Sequence, residues 1–220
     1  FPFYLLPTTG EWLSGISENA LHFIYEILFG DSGDRVLELK SDSTGHYLFF
    51  GMILFFSGLI TILFHFFKPK IEVGSDTNPI QKTSTITFTF VTYYLAIVLL
   101  TYGLNKIFKW QFYFPEPNTL FTRVGDLHKD ILYWSAMGSS YTYSVFAGVI
   151  EVIPALLLLF ARTRLAGALI AFAVMSNVVM INFGFDISVK LHSIFLLVIC
   201  IFILLHYHQR IKLIFTIHSV

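Results

Sequence analysis

Five apolar runs limit what this chain can become. They cover residues 47–67, 86–108, 141–160, 165–185 and 187–205. Each meets or approaches the roughly 20 residues a helix needs to cross the hydrocarbon of a bilayer. With 55% hydrophobic and only 13% charged residues, the 220-residue chain is too apolar for an ordinary soluble domain of its length. In lipid every backbone N–H and C=O needs an internal partner, so such runs become helices. The expected fold is therefore an all-α membrane protein, a bundle of five transmembrane helices with interfacial helices beside it. Residues 1–44 read as an outer-face segment and 45–220 as the bundle. The opening Phe1-Pro2-Phe3-Tyr4-Leu5-Leu6 reads as the tail of one further apolar helix upstream.

Connections order the spans. Arg162-Thr163-Arg164 and the turn near Gly184 and Asp186 are so short that the runs they join must be antiparallel neighbours, which makes the last three spans one compact group. Two other stretches show helical spacing but are too polar to span. One is 12–29, with Leu13, Ile16, Ala20, Phe23 and Ile27. The other is 120–134, with Leu120, Val124, Leu127 and Ile131. Both are expected to lie on the membrane surface or cap the bundle. Trp110, Pro115 and Pro117 suit an interfacial loop.

Charge sets an expected orientation. Lys68, Lys70 and Lys82, then Arg162 and Arg164, then Arg210 and Lys212 fall on one side by alternation of spans. Positive residues in short loops mark the cytoplasmic side. The acid-rich stretch from Glu11 to Asp42 falls opposite. The C-terminus is therefore expected on the cytoplasmic side.

Several functions are excluded by composition and motif. The formal net charge is zero and no basic run points to nucleic acid. Cys200 is the single cysteine, so no disulfide or CxxC pair can form within this chain. There is no phosphate-binding glycine loop, HExxH or GxSxG. Gly30-Asp31-Ser32-Gly33-Asp34 lacks the twelve-residue calcium loop and its terminal Glu. His206 and His208 read as interfacial side chains, and no metal site is expected.

The chemistry that remains is carried by polar residues inside the apolar runs. A charge in lipid is costly, so it faces a protein interior or a cavity unless it snorkels to the interface. Lys106 ends the second run, with Tyr102 one turn earlier and Asn105 beside it. Such a group suits an oxyanion, a quinone carbonyl or a carboxylate; a lysine whose pKa burial has lowered can also act as a base. Glu151 lies mid-run among Ala147, Gly148, Pro154 and Ala155, small residues that let a neighbouring helix approach. Its carboxyl is either protonated or paired, as a tie between helices or as a proton relay. Asn177 continues the stripe Ala166, Ile170, Ala173, which reads as another packing face. Asp186 reads as the N-cap of the last helix, paired with Lys190 four residues on. The alternative makes Asp186 and Lys190 the outer wall of a pocket shared with Lys106.

These residues resemble a known family. Tyr102-Gly103-Leu104-Asn105-Lys106, Ala147-Gly148-Val149-Ile150-Glu151-Val152, and Arg162-Thr163-Arg164-Leu165-Ala166-Gly167-Ala168 are similar to signatures of the DoxX-like bacterial membrane proteins. Asn182-Phe183-Gly184-Phe185-Asp186-Ile187-Ser188-Val189-Lys190-Leu191 resembles the longer members found in Bacteroidota. The resemblance covers about residues 86–207 and implies a four-helix core, set in a bacterial inner membrane. It also implies quinone-linked redox chemistry, since some members are subunits of thiosulfate:quinone oxidoreductase. Gly103 and Lys106 are also similar to a helical region of vitamin K-dependent carboxylases, where a lysine serves quinone chemistry.

The leading expectation is an inner-membrane subunit that binds an isoprenoid quinone or similar lipidic molecule through Tyr102, Asn105, Lys106, Glu151, Asn177, Asp186 and Lys190. Partner subunits would supply electrons, and Lys106 and Glu151 are the candidate catalytic groups. The alternative is a non-catalytic scaffold subunit of a larger envelope complex.

Overall fold

The computed structural model describes residues 41–66 and 79–216. The apolar opening, the expected helix over 12–29, most of the acidic outer segment, and Lys68 and Lys70 lie outside them. The chain divides into two units, Phe1–Gly74 and Ser75–Val220.

In the first unit, α1 runs Thr44–Phe66. Ser43 starts it: its Oγ accepts from the N–H of His46, while His46 Nδ1 accepts from the N–H of Asp42. This reciprocal arrangement satisfies helix-end donors as a capping box does. None of the helix's most apolar window is buried within the unit. Ser57 and Thr61 return their hydroxyls to the carbonyls of Leu54 and Ser57, leaving an apolar exterior.

The second unit is built from α2 (Pro79–Ile107), α3 (Pro117–Phe121), a 3-10 turn (Val124–Asp126), α4 (Lys129–Ser139), α5 (Tyr141–Leu159), α6 (Arg164–Gly184), α7 (Lys190–His206) and α8 (His208–Thr216). No strand occurs among the described residues. Among the described residues four helices, α1, α2, α5 and α6, are long and apolar enough to cross a membrane; α7 is apolar but has 17 residues. α2 packs most extensively on α5, α5 on α6, and α6 on α7, with α7 also touching α2.

The packed helices α2, α5, α6 and α7 each bury one stripe. On α2 it is Phe88, Thr92, Leu95, Leu99, Gly103 and Lys106; on α5 it is Ser144, Gly148, Glu151, Ala155 and Leu158. Spacings of three and four keep such positions on one face. α2 and α5 touch where Gly103 faces Gly148. A Cβ at Gly103 would stand 2.7 Å from the Gly148 carbonyl oxygen, and one at Gly148 would stand 2.5 Å from that of Gly103. Only hydrogen fits at this crossing, the usual reason for small residues between membrane helices.

Three boundaries differ from expectation. α2 begins at Pro79 rather than 86, because proline at its N1 position starts the helix through the polar stretch Gln81 to Thr85. The amphipathic helix expected over 120–134 is broken into α3, the 3-10 turn and α4, with Thr122 and Leu127 in extended conformation between them. The last span starts at Lys190 rather than 187. Asp186 does not cap it: the N-cap is Val189, without a side-chain bond. Asp186 instead ends α6 in the left-handed region, φ 54°, and Ile187 N–H closes back on Asn182 O. That is a Schellman ending, and a short polar residue tolerates its conformation.

The other end of α2 closes in the same way. Lys109 has φ 60°, Trp110 N–H reaches Asn105 O, and Lys109 N–H reaches Lys106 O. Lys109 occupies a position that favours glycine because its Nζ donates to Gly138 O at 2.8 Å and lies 3.3 Å from Ser144 Oγ. The lysine thus ties the ends of α2 and α4 to the start of α5. Replacing Lys109 by Gly relieves about 1–2 kcal/mol of left-handed strain but removes charged hydrogen bonds, which contribute about 1.5–3 kcal/mol. A net loss of about 1 kcal/mol is expected from chemical unfolding in micelles, whereas Lys109→Ala, which keeps the strain, should lose more.

Candidate functional site

The centre of the site is an ion pair. Lys106 Nζ donates to Glu151 Oε1, joining α2 to α5. Lys106 is 8% exposed and Glu151 4%. Lys106 lies on the core stripe of α2, so it does not snorkel. Helical side chains lean toward their own N-terminus. α2 and α5 run antiparallel, so the lysine leans down and the glutamate up, and they meet between the helices. Gly103 and Gly148 bring the two backbones close enough for this.

Aromatic groups cover the pair. Phe112, 2% exposed, lies under Lys106 Nζ at 5.8 Å to the ring centroid. Trp134 and Tyr133 stand 5.2 and 6.2 Å from Phe112, and Phe185 stands 4.9 Å from Tyr133. The cover is thus assembled from the segment after α2, from α4, and from the end of α6. Burial above all, with the neighbouring Tyr143 and Glu151, pushes the Tyr133 hydroxyl up to about 12. It therefore stays protonated as a donor throughout the physiological range.

Three buried polar atoms have no partner among the described residues: Glu151 Oε2, Asn182 Nδ2 and Gln111 Oε1. Two can only accept and one can only donate. Buried polar groups are nearly always satisfied. Trp134 of the aromatic cover also lines a cleft of about 200 Å³ with Gln111, Tyr113, Glu116 and Thr119.

The other sequence candidates divide. Tyr102 joins the site's edge, its ring 6.1 Å from that of His192 on α7. Asn105 is half-buried, and its backbone oxygen closes the end of α2. Asp186 and Lys190 pair at 2.7 Å, with the Asp186 side chain 79% exposed. Lys190 holds the Asp186 carboxyl below its usual value. Lys106 takes Glu151 as its acceptor, not Asp186. Asn177 is corrected: with Ala166, Ile170 and Ala173 it forms an exposed stripe of α6. The buried stripe is Gly167, Ala168, Ala171, Met175 and Asn182. Because α6 is apolar all round, its sequence does not fix which side faces inward.

Sequence reasoning noted Asn182 without choosing it and missed Gln111, Phe112, Tyr133 and Trp134. Their only signal was aromatic density between 108 and 134, which serves an interfacial loop equally well.

The chain is 32% identical over 140 residues to the uncharacterized protein YwoB of Bacillus subtilis (strain 168), a match covering 60% of this chain and 81% of that protein. No protein-family model matches the chain, and no solved structure matches it.

Proposed function

This chain belongs to the same family as YwoB of Bacillus subtilis, and we propose that it is an integral membrane subunit holding the polar head of an isoprenoid quinone or similar lipidic molecule at the Lys106–Glu151 pair. The supporting observation is Glu151 Oε2, buried beside the ion pair and without a partner among the described residues. Leaving such an oxygen unsatisfied costs about 1–3 kcal/mol or more. A hydroquinone hydroxyl donates to it; a quinone carbonyl accepts from Lys106. Asn182 Nδ2 supplies a further donor on the same bundle.

In this reading α7 is the fifth crossing, since 17 residues span about 25 Å. The DoxX-like core lies over 86–207, the basic ends face the cytoplasm across an inner membrane, and a partner subunit delivers electrons.

The test uses Trp134, which touches Phe112 over the lysine, in a Trp12→Phe, Trp110→Phe background. A short-chain ubiquinone added to the purified protein in detergent is expected to quench fluorescence saturably. In Lys106→Met/Glu151→Leu the quenching should fall to that of free tryptophan. Unchanged saturation in that variant overturns the reading.

One observation favours a second reading. The reciprocal approach of Gly103 and Gly148 beside the ion pair is what a lock between two helices needs. A scaffold subunit would use the pair as a clasp and show no saturable quenching at all.

A further inference from the structure

A second cluster lies at the opposite end of the bundle and plays no part in the ion-pair site. Arg164 opens α6. Its Nε donates to Leu158 O at 3.2 Å, and its guanidinium lies 5.9 Å from the Phe88 ring and 5.7 Å from that of Tyr93. His206 stacks on Phe88 at 3.9 Å, and Tyr207 meets the same ring edge-on at 5.8 Å. Arg210 follows on α8, 5.5 Å from the Tyr207 ring. Two arginines, one from α6 and one from α8, are thus linked through one aromatic platform built by α2, the end of α7 and the turn that follows it. Arg162 is exposed in the adjoining turn, and Lys212 extends the series along α8.

No described acidic residue stands beside Arg164 or Arg210. The described acidic residues of this unit are Glu116, Asp126, Asp130 and Asp186 at the other end, and Glu151 in the interior. Arg164 is only 9% exposed, yet only its Nε makes a hydrogen bond among the described residues. A guanidinium has five N–H donors in a planar fork suited to phosphate. Cation–π contact with aromatic rings restrains that fork and lowers the entropy cost of binding. The cluster also stands where helices long enough to cross a bilayer end, which is the level at which a bilayer presents its lipid phosphates.

We propose that this end of the bundle binds the phosphate of an anionic phospholipid, with Arg164 and Arg210 as its principal contacts. The acyl chains lie along the exposed apolar faces of the adjacent helices. Free phosphate offers the same oxygens but no chains, so the two sources are separable.

The experiment is thermal unfolding of the full chain in a neutral detergent with added lipid. Phosphatidylglycerol is expected to raise the melting temperature by about 5 °C at saturation, as for a ligand well above its dissociation constant on a domain of this size. Phosphatidylcholine and inorganic phosphate should each produce less than a fifth of that shift. Arg210→Gln/Lys212→Gln changes only exposed side chains and should halve the shift; Arg164→Gln should remove most of it. If Arg164→Gln does not fold, the α8 variant decides. Equal shifts with phosphatidylcholine, a full shift with inorganic phosphate, or an undiminished shift in the α8 variant would each overturn the proposal.

Discussion

Lys106→Met is expected to destabilise the bundle by about 3–5 kcal/mol, because it strands the Glu151 carboxylate in an apolar interior. The methionine keeps most of the lysine's apolar stem, so lost packing accounts for little of this. Adding Glu151→Leu should recover most of the loss. Replacing both partners of a buried pair by apolar groups of similar volume is often neutral, since the desolvation cost of both charges disappears with their attraction. Equilibrium unfolding in mixed micelles gives the three values, and the coupling between the sites is the difference that matters. Lys106→Met within about 0.5 kcal/mol of wild type, the range of an ordinary surface change, would mean that the pair holds nothing together.

Gly148→Ala should cost about 3 kcal/mol, the upper part of the overpacking range. The added Cβ would stand 2.5 Å from the Gly103 carbonyl oxygen and 3.0 Å from the Ile107 nitrogen, both backbone atoms that cannot rotate away. The helices must separate, which also pulls Lys106 from Glu151. Gly51→Ala on α1 is the control. No atom outside its own helix backbone and chain neighbours lies within 4 Å of its Cβ position, so it should be neutral or gain about 0.5–1 kcal/mol from helix propensity. The same micelle unfolding measures both, and equal effects at the two glycines would contradict the close crossing.

The sequence showed where the long apolar helices form and that Glu151 is packed, but not how the helices are arranged or that Arg164 is buried. Apolar runs of bilayer length marked α1, α2, α5 and α6 because length and hydropathy alone decide such segments. Glu151 was recognisable as a packed residue from its small neighbours. Glu151 was only one possible acceptor for Lys106, beside Asp186 and a ligand oxygen, because 45 residues separate the two, and only the crossing at Gly103 and Gly148 makes them adjacent. Asn177 and Asn182 sit five positions apart on a helix apolar on every side, so periodicity could not choose the inward one. Asp186 fits both an N-cap and a left-handed C-terminal ending by residue type. Backbone closure on Asn182 settled it, and that depends on tertiary placement. The aromatic cover was hidden because α3, the 3-10 turn and α4 are short, and packing rather than pattern assembles Phe112, Tyr133, Trp134 and Phe185.

The central claim is that the buried pair holds the head of a lipidic molecule. The most direct measurement is mass spectrometry of organic extracts from protein purified in mild detergent out of its native membrane. Wild type is compared with Lys106→Met/Glu151→Leu, whose folding is checked by its thermal transition. The account predicts a quinone or related isoprenoid molecule at near one per chain in wild type, falling at least tenfold in the folded double variant. Equal recovery from both proteins, or none from wild type beyond bulk lipid carry-over, would contradict it.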